Sequence, residues 1–202
     1  MNSPLVSDTA VGTVVGLAVR GARRAPMIMT RQLVITPAGS VTAHIETSGE
    51  GTTGAIITDH KGQRLAERAL TILSHEAWQQ ACARLAETTD QPKPASAVLP
   101  WTARRANVLI EGLTLPYVRG ARVQFTHADG RPGPLTELTR PTTPCTRMDE
   151  AAAGLRRALG RSEDAPAGRG GITVRILEGG TISLGDRIAV TYAPPHSQRR
   201  LP

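Results

Sequence analysis

The sequence predicts a mainly β protein that folds as a closed barrel or a sandwich. Many short segments concentrate or alternate Val, Ile, Leu and Thr, and Gly, Pro or Asp bounds most of them. Short strands at such even spacing are typical of barrels and sandwiches. The predicted strands are residues 11–19, 31–36, 40–46, 54–58, 68–73, 106–111, 121–126, 135–139, 172–177 and 187–192, with a hairpin turn at Gly179–Gly180.

Length and composition favour one compact domain. The 202 residues are enough for a single well-filled core. We expect a flexible lead-in over residues 1–10, one domain over 11–192 and a flexible tail over 193–202. No apolar run reaches the ~20 residues of a membrane span, and the apolar residues 10–19 are followed rather than preceded by arginines, unlike a secretory signal. Two cysteines cannot form a disulfide framework, so we expect a cytoplasmic protein that does not associate with a membrane.

The basic residues point to an anionic ligand. Lys and Arg number 24 against 17 Asp and Glu, which gives a net charge of +7, and nearly all of the bases are arginine. Guanidinium groups suit phosphate and carboxylate. Aromatic residues make up only 2% of the chain, and the arginines form no long run, so nucleic acid is the weaker alternative to a small phosphorylated ligand. A solvated arginine-rich surface accounts for most of the remaining positions.

Two helices interrupt the pattern of strands. The first is predicted to begin after Ser74 as N-cap and to continue to about Glu87, with Cys82 on its apolar stripe as a core residue. The second is predicted to begin at Asp149 as N-cap and to end near Gly160.

Cys145 is the strongest candidate for a chemically reactive residue. It lies in TRPTTPCTRMDE, where Pro141 and Pro144 favour extended backbone, so the thiol is predicted at a strand end or in a loop. Arg140, Arg147 and the start of the second helix would favour the thiolate, the form that attacks sulfur or binds a soft metal. The alternative is a small buried apolar residue, which the residues alone favour.

A second candidate lies in LPWTARRANVLIEGLTL, residues 99–115. Arg104 and Arg105 precede Asn107, which opens a predicted buried strand. Anion recognition and a plain surface pair are equally supported here, and in a strand only one of the two arginines could point inward. Elsewhere the five histidines share no helical pair spacing, and there is no CxxC, phosphate loop or dinucleotide fingerprint.

Taken in order, several of these segments resemble the MOSC domain, the C-terminal module of molybdenum cofactor sulfurases that also occurs as free-standing bacterial proteins. The similarity extends over most of residues 11–192. The matching stretches are Ala25-Pro26-Met27, RALTILSHE at 68–76, LPWTARRANVLIEGLTL at 99–115, PCTRMD at 144–149 and GGITVRILEGGTISLGD at 170–186. The family also carries a Gly-Asp pair, often followed by His, before the RALTIL-like strand. Here Asp59 and His60 follow Thr58 at that place, and an alternative alignment places His44 there.

The resemblance implies a closed β-barrel of MOSC type, similar to the pyruvate kinase barrel, with a few short helices. It implies a pocket for the molybdenum cofactor, a molybdopterin-type molecule. We expect no pyridoxal phosphate, because the chain is too short for the desulfurase fold and its two lysines, Lys61 and Lys93, lie in loop-like stretches. Cys145 would ligate molybdenum or carry transferred sulfur. The implied cofactor-binding residues are Arg104, Arg105, Asn107, Arg140, Arg147, Asp59 and His60.

Several functions remain open at this stage. One alternative is a molybdenum-dependent reductase of N-hydroxylated compounds, which needs a separate reductase as electron donor. A sulfur carrier would instead need a desulfurase partner. A third alternative is a family member altered near Asp59 that serves another ligand, and a fourth is a basic barrel that binds RNA.

Overall fold

The computed structural model describes most of the chain. The described residues are 10–21, 25–38, 41–47, 50–53, 68–88, 99–115, 118–165 and 168–191. The predicted strand 54–58 and the candidate residues Asp59 and His60 lie outside these ranges. No helix in the described ranges is both long and apolar enough to cross a membrane.

The described residues form thirteen strands and three short α-helices. The strands are β1 (Ala10–Val19), β2 (Ile28–Thr30), β3 (Gln32–Ile35), β4 (Val41–Thr42), β5 (His44–Thr47), β6 (Glu50–Thr53), β7 (Leu70–Ser74), β8 (Val108–Glu111), β9 (Arg122–Thr126), β10 (Pro132–Pro141), β11 (Ile172–Glu178), β12 (Gly180–Ser183) and β13 (Arg187–Thr191). The helices are α1 (His75–Thr88), α2 (Arg147–Ala151) and α3 (Leu155–Ala158), and a 3-10 turn spans Trp101–Arg104.

Seven strands close into a barrel, which confirms the predicted fold class. Their order around the barrel is β1, β13, β9, β10, β11, β7, β8 and back to β1. All neighbours are antiparallel except β7 and β8, which are parallel. Strand β1 closes the barrel because it pairs with β13 through residues 10–13 and with β8 through residues 13–17. A bulge between Val14 and Gly16 bends β1 between its two partners.

Alternating side chains fill the barrel. On β9, Val123 and Phe125 are fully buried while Arg122 is exposed, and β13 repeats this with Ile188 and Val190. A second apolar cluster covers the outside of the barrel, where the helices lie. Its fully buried members include Leu73, Ala81, Leu155 and Leu159. Smaller sheets complete the fold: β12, β3 and β4 form one, β5 and β6 another, and β2 extends β1.

The first helix forms as predicted. The Ser74 hydroxyl oxygen accepts a hydrogen bond from the Ala77 N–H at 3.2 Å, the arrangement expected of an N-cap. Trp78, Ala81 and Leu85 are its buried residues. Cys82 is half-buried and packs against the same cluster, in agreement with the predicted core position.

The prediction of one helix from Asp149 to Gly160 is wrong. The chain forms α2 and α3 instead, and α2 begins two residues before Asp149. Gly154 has a φ of 84°, which a continuous helix does not allow, so the chain turns there. Asp149 acts on α3 rather than α2: its carboxylate accepts the Arg156 N–H at 3.0 Å and forms an ion pair with the Arg156 side chain.

The predicted hairpin at Gly179–Gly180 is also wrong. β11 pairs with β10 and β7 in the barrel, whereas β12 pairs with β3 in the smaller sheet. Gly179 lies where the chain passes close to the end of β3, because an added Cβ there would be 2.6 Å from the Ile35 carbonyl oxygen. The predicted strand 40–46 is likewise divided, into β4 and β5.

Gly171→Ala tests how tightly β11 joins the barrel. Gly171 has a φ of 82°, and a Cβ there would collide with the Ile72 carbonyl oxygen of β7. We expect a loss of more than about 3 kcal/mol in the free energy of unfolding, measured by urea denaturation. Gly130→Ala is the matched control: its φ is 85°, nothing lies within 4 Å of the added carbon, and we expect a loss of about 1 kcal/mol. Equal losses would contradict the close contact.

Candidate functional site

Cys145 lies on the surface after the end of β10. The loop of residues 142–146 separates β10 from α2, and the Cys145 side chain is exposed. The Cys145 carbonyl oxygen accepts the Met148 N–H at 2.9 Å, which ties the loop to the start of α2. The predicted placement of this thiol in a loop is therefore confirmed. Because α2 has only five residues, charged side chains rather than a helix dipole dominate the surroundings of the thiol.

Arg104 is buried beside this loop without a hydrogen-bond partner. Its exposed fraction is 6%, and its Nε and Nη2 atoms have no acceptor among the described residues. The guanidinium lies against Gly170, where an added Cβ would be 3.0 Å from Nη2 and 3.1 Å from Nε. Burial lowers the pKa of Arg104 to about 10, the Cys145 sulfur partly offsets this, and Arg68 adds to the lowering. Arg104 is therefore still a cation at neutral pH.

Arg105 is held differently from its neighbour. It has left-handed backbone (φ 65°, ψ 31°), is half-buried and donates from Nη2 to the Ala25 carbonyl oxygen at 3.4 Å. We expected strand alternation to direct one arginine inward, but neither residue is in a strand, since β8 begins only at Val108. The 3-10 turn ends at Arg104 and the left-handed residue follows, and this reversal separates the two side chains. A non-glycine residue at positive φ costs about 1–3 kcal/mol, which is typical of functional sites.

Four further arginines complete what we call the arginine cluster: Arg20, Arg68, Arg104, Arg105, Arg140 and Arg147. Burial lowers the pKa of Arg20, and the charges of Arg105 and Arg147 lower it further. Burial also lowers the pKa of Arg68, with a further contribution from Arg140. Burial, and then Arg147, lower the pKa of Arg105, whereas Cys145 and Glu150 raise it. Of the arginines that the sequence predicted, Arg104 and Arg105 interact with Cys145, Arg147 interacts with Arg105, and Arg140 interacts with Arg68.

Sequence reasoning missed Arg20 and Arg68. Arg20 directly follows β1, and Arg68 precedes β7 by one residue. The signal that could have found them is their position at strand ends, because β1 runs antiparallel to β8 and β7 runs parallel to it. The C-terminal end of β1 and the starts of β7 and β8 therefore meet at one end of the barrel.

Asn107 holds this end of the barrel together. Its amide oxygen accepts the Thr71 N–H at 3.1 Å, and its amide nitrogen donates to the Ala18 carbonyl oxygen at 3.3 Å. Its own N–H and carbonyl bond to the same two residues at 2.9 Å. Asn107 thus links β1, β7 and β8 directly after the two arginines, and its direct contact with an anion stays a prediction.

The cluster has little negative charge to balance it within the described ranges. Glu150 is the carboxylate that raises the pKa of Arg105, whereas Asp149 is already paired with Arg156. No group of three His, Cys, Asp or Glu side chains in the described part of the chain could hold a metal ion.

A cavity of about 460 Å³ lies at the other end of β10 and shares no residue with the arginine cluster. His127 and Asp186 line it, with His127 Nδ1 at 3.1 Å from an Asp186 carboxylate oxygen. The Asp186 carboxylate also accepts the Ser183 N–H at 2.7 Å. These bonds connect the end of β9 to the turn between β12 and β13.

The closed barrel and the exposed thiol among arginines define a class of small barrel protein with a basic thiol site. The sequence model of the MOSC domain matches residues 41–189, and the chain belongs to this family. Members of the family commonly bind the molybdenum cofactor. The barrel-closing strand β1 lies before the matched residues.

Solved structures share the fold. The YuaD protein from Bacillus subtilis superposes with a TM-score of 0.64 at 16% identity and covers 93% of this chain and 100% of its own. YiiM from Escherichia coli gives a TM-score of 0.53 at 13% identity over 90% of this chain and 71% of its own. No curated protein matches the sequence at a significant level.

Arg104→Met tests whether the buried guanidinium is a cost to the free protein. The lowering of the Arg104 pKa from its ordinary value to about 10 corresponds to a penalty on the order of 3 kcal/mol for the charged form. The penalty is fully present below pH 10 and fades as the pH rises above the lowered pKa. At pH 7, without multivalent anions, we expect the free energy of unfolding to rise by about 1–3 kcal/mol in this variant.

Arg169→Met is the matched control for this measurement. Arg169 is also buried, at 2% exposed, but it donates to Ser162 at 2.9 Å and bonds to Asp164. We expect its replacement to lower stability because it breaks bonds that hold the loop of residues 161–171. A clear loss of stability in Arg104→Met as well would show that Arg104 is satisfied in the free protein.

Proposed function

We propose that the protein binds the molybdenum cofactor, with Cys145 as its sulfur ligand to the metal and the arginine cluster as the receptor for its phosphate. The observation that carries this proposal is an exposed thiol near a buried guanidinium whose Nε and Nη2 have no acceptor in the described part of the chain. An unpaired buried cation is costly, and proteins keep such groups where a ligand completes them.

The donor set fits the cofactor. A thiolate is a soft ligand suited to a metal that prefers sulfur, and arginine binds phosphate through two parallel hydrogen bonds. When bound, the cofactor would supply a redox-active metal already held by sulfur atoms of the pterin. Arg104 offers two free donors, Nε and Nη2, on a planar group of the kind that engages two phosphate oxygens at once.

The remaining residues of the site would orient and hold the ligand. Arg68 interacts electrostatically with Arg104 and with Arg140, so these arginines would add positive charge beside a bound phosphate. Asn107 links the ends of three strands by hydrogen bonds, so the backbone next to Arg104 and Arg105 is held in place. Gly170 leaves room for the Arg104 guanidinium, which any larger residue would displace.

A sulfur-carrier role uses the same residue. The exposure of the Cys145 side chain supports access by a partner such as a desulfurase. A reductase of N-hydroxylated compounds would take its electrons from a separate protein, because two cysteines are too few for an iron–sulfur cluster.

Anaerobic reconstitution with the molybdenum cofactor tests the proposal. The wild-type protein should retain molybdenum and pterin, measured by metal analysis and by pterin fluorescence after oxidation. Cys145→Ser should lose most of the molybdenum because the serine hydroxyl is a poor ligand for a soft metal. Arg104→Met should lose both molybdenum and pterin, because the phosphate then lacks its buried partner.

Two variants serve as controls. Cys82→Ala removes the other thiol, and Arg122→Gln removes an exposed arginine of β9 that is not in the arginine cluster. Both should retain the wild-type content of metal and pterin. If the wild-type protein retains neither after reconstitution, or Cys145→Ser retains both in full, the proposed function is wrong.

A further inference from the structure

The cavity of about 460 Å³ at the start of β10 has the parts of a second ligand site. The hairpin turn after β9 contributes His127 to its lining, and the turn between β12 and β13 contributes Asp186. Strands β3 and β12 contribute Gln32 and Ser183. The volume lies within the range of about 300–1,000 Å³ that small-molecule sites occupy.

A nearly buried carboxylate fixes the ring of His127. The Asp186 side chain is 3% exposed, and its two oxygens lie 3.1 and 3.2 Å from His127 Nδ1. The same carboxylate accepts the Ser183 N–H at 2.7 Å, which holds it in place. Because a carboxylate only accepts hydrogen bonds, the hydrogen of the neutral ring lies on Nδ1, and Nε2 is left as an acceptor.

Nε2 of His127 has no partner among the described residues. Both contacts of the ring are made by Nδ1, and the side chain keeps 17% of its exposure where it lines the cavity. A histidine held at one nitrogen and open at the other accepts a hydrogen bond from whatever occupies the space beside it. A ligand of this cavity therefore has to offer an O–H or N–H group.

The charged side chains of the lining are already engaged with neighbours. Asp129 and Arg131 pair with each other in the hairpin turn, with 2.7 Å between the carboxylate oxygen and Nε. The Asp186 carboxylate is occupied by His127 and by the Ser183 N–H. Neither sign of charge is left for a ligand, in contrast to the arginine cluster, and this favours an uncharged molecule.

The other polar side chains of the lining both donate and accept hydrogen bonds. They are the Gln32 amide and the hydroxyls of Thr181 and Ser183. Gln32 Nε2 lies 3.4 Å from Ser183 Oγ, longer than an ordinary hydrogen bond, so a ligand can replace this contact at little cost. No Phe, Tyr or Trp in the described part of the chain lines the cavity, so a planar base has no ring to stack on.

We propose that this cavity binds a small uncharged polyol of about the size of a monosaccharide. One hydroxyl of the ligand donates to Nε2 of His127, and others bond to Gln32 and Ser183. The site is separate from the one around Cys145 and does not depend on the proposed function.

Nitrogen NMR of the histidine rings tests the acceptor in the free full-length protein. At alkaline pH, where the ring is neutral, long-range proton–nitrogen spectra assigned through the backbone should show a hydrogen on Nδ1 of His127 and none on Nε2. A hydrogen on Nε2 instead would overturn the proposal, because the ligand would then have no acceptor on the ring.

Glucose is the probe for binding, and adenine is the planar alternative. Added glucose should move the Nε2 signal of His127 upfield and saturate at millimolar concentration, as a few neutral hydrogen bonds allow. The ring signals of His75, which lies on α1 away from the cavity, should stay in place. No shift of the His127 signal with glucose, or tighter binding of adenine than of glucose, contradicts the polyol.

Two variants test the lining without touching the contact between His127 and Asp186. Ser183→Ala removes a hydroxyl but keeps the backbone N–H that bonds to Asp186, and Gln32→Ala removes an exposed amide. Each should weaken glucose binding about threefold to tenfold. Gln80→Ala, which removes an exposed amide of α1, and Cys145→Ser should leave it unchanged. Wild-type affinity in both lining variants shows that glucose binds elsewhere, and the proposal is then wrong.

Discussion

The candidate site depends on the buried guanidinium of Arg104. Arg104 is buried by the barrel and by Gly170, and its Nε and Nη2 donors have no acceptor among the described residues. Removal of an arginine from water without a counter-charge is unfavourable, and no bond in the described part of the fold compensates for it. Arg169 differs in that its two terminal nitrogens bond to Ser162 and Asp164, and only its Nε lacks an acceptor among the described residues. Arg169 therefore stabilises a loop, whereas Arg104 has donors that a ligand could accept from.

The barrel topology explains how arginines from separate segments come close to one another. Arg20, Arg68 and Arg104 come from separate segments, and the register of β1, β7 and β8 brings those segments to one end of the barrel. Asn107 secures that end with four hydrogen bonds to β1 and β7. The loop after β10 reaches Arg104 through Thr142, which bonds to the carbonyls of Gly170 and Gly171, and Gly170 lies against the Arg104 guanidinium. The hydrogen-bonded strands therefore hold these arginines together against their mutual electrostatic repulsion.

Much of the fold could be predicted from the sequence because strand patterns are local. The alternation in Val123–Phe125 and Ile188–Val190 marks buried faces regardless of their neighbours. The errors arose where local pattern and long-range contact differ. Gly154 breaks the second helix because its backbone is left-handed, and Gly179 separates β11 from β12 because the chain passes close to β3. Neither contact can be read from adjacent residues.

The candidate site was predictable in part because some of its residues are marked by their immediate sequence neighbours. Cys145 stood out through its flanking prolines, and Arg104 and Arg105 through their adjacency. The sequence could not show that Arg104 is the buried one, because a 3-10 turn and a left-handed residue replace the expected strand there. Arg20 and Arg68 were missed because only the pairing of β1 and β7 with β8 brings them to the thiol.

NMR of the arginine side chains gives the most direct test of the unsatisfied cation. In the free protein, the Nε–H signal of Arg104, assigned by its loss in Arg104→Met, should shift downfield and exchange more slowly as inorganic phosphate is added. The Nε–H signal of Arg156, whose Nε already lies 3.2 Å from an Asp149 carboxylate oxygen, should stay in place. If the Arg104 signal is slow to exchange before any anion is present and does not move with phosphate, the guanidinium already has a partner and the central claim is wrong.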